Sequence, residues 1–191
     1  MGGWELTQGT DVSKARWFAE EVSKDWAPWA WSKANDPNRT IAALELFATI
    51  LALKVFKKPE NAGRRGVAAV TGSTDNQGNA YAVQKAMSTK YPLALLLMEL
   101  SEEMRDQQVV LDLRWTQYES NQEADDLSNM KTEAFDPGLR IRVGPGLVNL
   151  IVLDELMEAS AKLHLRLMQE RAARAASSAP APAAGRARKH R

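Results

Sequence analysis

The most regular pattern of apolar and polar positions lies in IAALELFATILAL, residues 41–53, where only Glu45 and Thr49 are polar. They stand four residues apart and so share one face of a helix. A helix that is apolar nearly all round is a buried one. The preceding NDPNRT, residues 35–40, has turn chemistry, and Thr40 is placed to cap the helix. An ionised Glu45 inside such a helix needs water, a partner or a cation. The plainer alternative is a glutamate at the helix rim, favoured by the positive N-terminal end.

The pattern changes after the loop FKKPENAGRRG. GVAAV, residues 66–70, has the continuous apolar character of a strand covered on both faces. It runs into TGSTDNQGN, residues 71–79, in which Asp75 sits among small polar residues. A surface turn explains that stretch, and so does a carboxylate held at a strand end. NAYAVQKAMSTK then reads as a helix, and Pro92 interrupts it and opens a second one, PLALLLMELSEEMRD. Leu93, Leu96, Leu97, Leu100 and Met104 form its apolar side. VVLDLRW, residues 109–115, alternates strictly and predicts a half-buried strand. NQEADDLS, residues 121–128, opens another helix. The loop FDPGLRIRVGPG and a helix from about 147 to 173 follow.

At the N-terminal end, GGWEL and APWAWS have the aromatic and apolar content of strands. DVSKARWFAEEVSKD between them carries no decisive pattern. Five of the six tryptophans fall within residues 1–31, and core and sheet packing accounts for them better than base stacking. Strands alternating with helices predict an α/β layered domain over residues 1–130, with a loop and helical extension over 131–173. The end, ASSAPAPAAGRARKHR, is low in complexity and reads as a disordered basic tail from 174 to 191.

Composition narrows the chemistry. The 191 residues include no cysteine, which excludes disulfides, thiol catalysis and thiolate-bound metals. The two histidines are His164, on an ordinary amphipathic segment, and His190, in the tail. Serine–histidine catalysis therefore has little to work with. No phosphate-binding GxxxxGK[ST] loop is present. No run of about 18 uncharged apolar residues predicts a membrane span, and the lack of cysteine suits an intracellular protein. Six Lys/Arg and no acid lie from Arg171 onward, leaving 19 basic against 24 acidic residues in the body. The tail GRARKHR suits nucleic acid or nuclear import, or is simply solvated.

Three acids stand out by position: Glu45 on the apolar helix, Asp75 after the GVAAV strand, and Asp125 just after the alternating strand. Strand ends are where α/β sheets place sites. Gathered carboxylates repel one another and need a cation, and oxygen-only ligands suit Mg²⁺ or Mn²⁺.

At these residues the sequence resembles the ribonuclease H-like domain attached to retroelement reverse transcriptases, especially elements mobilised by tyrosine recombinases. ALELFATILAL is similar to the family's helix bearing the second catalytic acid, here Glu45. STDNQGN is similar to the strand-end motif bearing the third, Asp75. NQEADDLS is similar to the motif bearing the fourth, Asp125, with Asp126 its neighbour. The resemblance spans about residues 2–129. It implies a mixed sheet flanked by helices, metal-dependent hydrolysis of the RNA strand of an RNA–DNA hybrid, and a parent polyprotein with a reverse transcriptase domain upstream. The family's first strand, with its catalytic Asp, has no counterpart, since MGGWE is similar to the start of the second strand and Asp11 falls too late. The fold it implies is thus N-terminally truncated. Two other readings stay open: a non-catalytic remnant that binds nucleic acid or protein, and an unrelated α/β domain whose acids are surface charges.

Overall fold

The computed structural model describes residues 1–6, 9–57, 66–117 and 120–177. Residues 58–65 of the loop FKKPENAGRRG and the tail beyond 177 lie outside the described residues. The chain divides into two compact units, residues 1–154 and 155–191.

The first unit is mixed α/β. Strand β1 (Gly2–Glu5) pairs antiparallel with β2 (Arg16–Ala19), with Gly2 opposite Ala19 and Glu5 opposite Arg16. Tryptophan content had suggested a strand in APWAWS, but Pro28–Trp31 forms a 3-10 turn instead. Proline opens that turn, where its missing N–H costs nothing. Its Trp29 is buried and packs edge-on against Phe47, as does Trp26. The second strand lies instead in the stretch that carried no clear pattern, because Trp17, Phe18 and Ala19 all find buried places there.

Helix α1 (Ile41–Val55) starts where the apolar run starts and extends two residues beyond it. Thr40 is buried, but its hydroxyl donates to Ala30 O (2.6 Å) rather than capping the helix. Strand β3 (Ala68–Thr74), helix α2 (Gln77–Lys85), helix α3 (Leu93–Gln107), strand β4 (Val109–Trp115) and helix α4 (Gln122–Ser128) follow in the expected order. β3 and β4 are parallel, with Ala68 opposite Val109 and Thr74 opposite Trp115. A parallel pair needs a crossover, and α2 with α3 supplies it.

Two expectations change. The strands form two separate two-stranded sheets, β1–β2 and β3–β4, rather than one mixed sheet. And β3 is not doubly buried: Ala69, Thr71 and Ser73 are exposed, as is Val67 just before the strand. An apolar run is only as buried as its neighbours make it, and among the described residues this face of β3 stays exposed. Val109, Leu111 and Leu113 of β4 bury beneath α2 and α3, while Val110 on the opposite face is 58% exposed.

Helix α4 packs on the β1–β2 hairpin, with Leu127 fully buried among Ala15, Trp17, Ala19 and Phe135. The outer edge of β2 is closed by Ile141 N, which donates to Trp17 O (2.7 Å). Helix α5 (Ile151–Ser177) starts in the first unit, where Glu99 accepts from Val152 N (2.8 Å) and Leu153 N (2.9 Å). From Glu155 onward it belongs to the second unit, where Glu158 and Lys162 pair one helical turn apart. Among the described residues no helix is long and apolar enough to cross a membrane.

Candidate functional site

The stretch after β3 is built from short-range polar chemistry. Thr74 ends the strand buried, and its hydroxyl oxygen accepts from Asn76 N (3.2 Å). Asn76 caps α2, its side-chain oxygen accepting from Asn79 N (3.0 Å). Asp75 is fixed between them, with its carbonyl accepting from the indole of Trp115 (3.2 Å) at the end of β4. The turn therefore holds Asp75 at the C-terminal end of a parallel strand pair, the usual place for a site in such sheets.

Glu45 comes to the same place from α1. Its carboxylate accepts from the Asn76 amide (2.5 Å) and, more distantly, from the Asn79 amide (3.5 Å). Asn79 is fully buried and also donates to Ala42 O (2.8 Å), which ties α2 to the first turn of α1. Its side-chain oxygen is buried with no hydrogen-bond partner among the described residues. Burial pushes the Glu45 carboxyl above the usual glutamate range; the Asn76 hydrogen bond pulls the other way, and the Asp75 charge pushes it further up. Glu45 and Asp75 are thus electrostatic neighbours, two acids on different elements held at one strand end.

Asp125 sits on α4, whose contacts are with β1 and β2. Its carbonyl accepts from Ser128 Oγ (2.9 Å) and Asn129 Nδ2 (2.9 Å), which closes the C-terminal end of this short helix. Asp126 faces Gln122 (3.0 Å) and Lys131 (3.5 Å). Among the described residues no three acidic or histidine side chains stand close enough to share a metal ion. The structure brings Glu45 and Asp75 together and does not gather Asp125 with them.

Sequence reasoning passed over Asn76 and Asn79. Their spacing carried the message: an asparagine at a helix start, followed three residues later by a second amide, is a capping pattern. Beside this turn, Gln77, Tyr81, Gln84, Leu111, Leu113, Arg114 and Trp115 line an open groove. No family model, curated protein or solved structure matches the chain.

Proposed function

We propose that this chain is a ribonuclease H-like domain of retroelement origin, whose chemistry is metal-dependent hydrolysis of RNA in RNA–DNA hybrids and whose activity as this chain is weak. The observation that supports the reading is the meeting of Glu45 and Asp75 at the end of β3. Two carboxylates, one of them raised chiefly by its own burial and a little further by the other's charge, form a hard oxygen donor pair of the kind Mg²⁺ or Mn²⁺ takes. Glu45 and Asp75 would hold the ion; Asp125, the third acid of the resemblance, does not join them in a three-acid cluster among the described residues. When bound, the cation neutralises the carboxylates and activates a water toward a phosphodiester. Asn76 fixes the rotamer of Glu45, so the carboxylate needs little reordering. With only two acids paired at the strand end, loss of either would be costly, since each lost 1.4 kcal/mol of transition-state stabilisation is about a tenfold loss in rate.

The test joins binding to cleavage. Millimolar Mg²⁺ should raise Tm in the wild type and not in Asp75→Asn, a poorer ligand of the same shape. Slow Mg²⁺-dependent cleavage of a labelled hybrid should be lost in the same variant. Cleavage that persists unchanged in Asp75→Asn, or a Tm that ignores Mg²⁺, would sink the reading.

A second reading, a non-catalytic nucleic-acid binder, draws on the groove beside the site. Tyr81 is 62% exposed and Trp115 50% exposed, and Lys85 and Arg114 stand beside them. Exposed rings flanked by cations suit stacked bases and phosphates. Hybrid or single-strand binding that survives Asp75→Asn but falls in Trp115→Ala would favour it.

A further inference from the structure

We propose that α5 is a dimerisation element: from Glu155 onward it pairs antiparallel with α5 of a second copy of this chain. The inference goes beyond the proposed function and uses none of the residues of that site.

The helix stands without a packed face. From Glu155 to Arg174 every described side chain is exposed except Leu156, which is half-buried. Leu163 and Leu167 are 47% and 41% exposed, where a leucine in a core is covered almost completely. A helix with no packed face is marginal in water. The apolar positions are spaced for another helix. Leu153 is buried in the first unit, and Leu156, Leu163 and Leu167 follow at steps of three, seven and four. Those are the seam positions of a seven-residue repeat, the pattern with which one helix packs along another. Leu165 and Met168 lie off this line, and single exposed apolar residues are ordinary.

Charge identifies the occupant. Residues 151–161 carry three acids, Asp154, Glu155 and Glu158, and no base. Residues 162–177 carry four bases, Lys162, Arg166, Arg171 and Arg174, and one acid, Glu170. With histidine neutral the two halves are therefore net −3 and +3. A parallel pair would set like charge against like along its whole length. An antiparallel pair lays each acidic half on the basic half of the other copy. The same arrangement puts Leu163 of one copy opposite Leu167 of the other. The helix dipole also favours acids first and bases last, but it acts only within the terminal turns, and Glu158, Lys162 and Arg166 lie further in. Glu158 pairs with Lys162, and Arg166 with Glu170, along the same helix. Exposed pairs of this kind are worth little and yield readily to a partner. Glu170 and Arg174 continue the repeat with charge, so the apolar seam is short. Such an interface belongs at the small end of specific ones, with Kd on the order of 10–100 µM.

The experiment is sedimentation equilibrium of the full chain over a range from about 1 to about 500 µM, since association follows mass action. The average mass should climb toward twice that of the chain, and climb less at about 1 M salt, where charges are screened. The double variant Leu163→Asp, Leu167→Asp should stay monomeric throughout. Its Tm in dilute solution should equal that of the wild type, because neither side chain is buried in its own chain. Orientation is read by cross-linking, which the absence of native cysteine keeps clean. A mixture of Leu163→Cys and Leu167→Cys proteins should give the mixed disulfide in about fivefold excess over either like pair, since only facing positions come within bonding range. A chain that stays monomeric at the highest concentration overturns the proposal, including one whose α5 amides are protected by packing on its own first unit. So does a dimer that survives the double variant, or a predominance of like-with-like disulfides.

Discussion

Glu45 shows how one residue can be read twice. On the helix alone it looks like a rim glutamate; in the fold it is half-buried against Asn76 and Asp75. Its folded pKa is raised, so the folded state holds the proton more tightly than the unfolded chain does. Its contribution favours folding below the ordinary glutamate range and is lost as pH rises through the raised value. Glu45→Gln should therefore flatten the fall in Tm between about pH 4 and neutrality and leave the neutral protein no less stable. A steeper fall in the variant would contradict the assignment. Glu99 is the opposite case, a residue whose sequence neighbours hide its role. It is fully buried on α3, holds the first amides of α5, and lies 3.5 Å from Lys54, which also pairs with Glu103. Removing one member leaves buried charge and two open amides. Glu99→Ala should cost about 3–5 kcal/mol in urea unfolding, and a cost under about 1 kcal/mol would mean the network is wet.

Among the elements, the hairpin β1–β2 is held by close approach rather than by large side chains. A Cβ at Gly2 would meet the Leu127 side chain and come 2.8 Å from the Leu127 carbonyl carbon, which is backbone and cannot swing away. Glycine is required there by contact with α4, not by an unusual turn. Gly2→Ala should lower stability by about 1–3 kcal/mol, read as a drop in the urea midpoint with an unchanged slope. The longer elements were legible because their patterns are long: helices α1 and α3 and strand β4 fall close to where the pattern puts them. β2 was not, because four residues between polar flanks carry too little periodicity. APWAWS was misread because tryptophan packs as well from a 3-10 turn as from a strand.

For the whole molecule, the Ala-Pro-rich end beyond residue 177 has no apolar periodicity with which to build a core. Deleting residues 178–191 should leave Tm unchanged; a loss of several degrees would show that the segment docks.

The pattern of the chain by itself determined that it builds mixed α/β structure, which helix is most buried, and that Asp75 stands at a strand end. Those follow from local periodicity and turn chemistry, which a single stretch carries in full. What only the tertiary structure decided is which elements meet. Glu45 reaches Asp75 because Asn76 and Asn79 bridge α1 and α2, while Asp125 rides on α4, which packs on the hairpin, and joins no three-acid cluster among the described residues. The two sheets remain apart because a strand's edge is satisfied only by a neighbour, and no residue of β1 or β3 records in its own identity whether that neighbour is there.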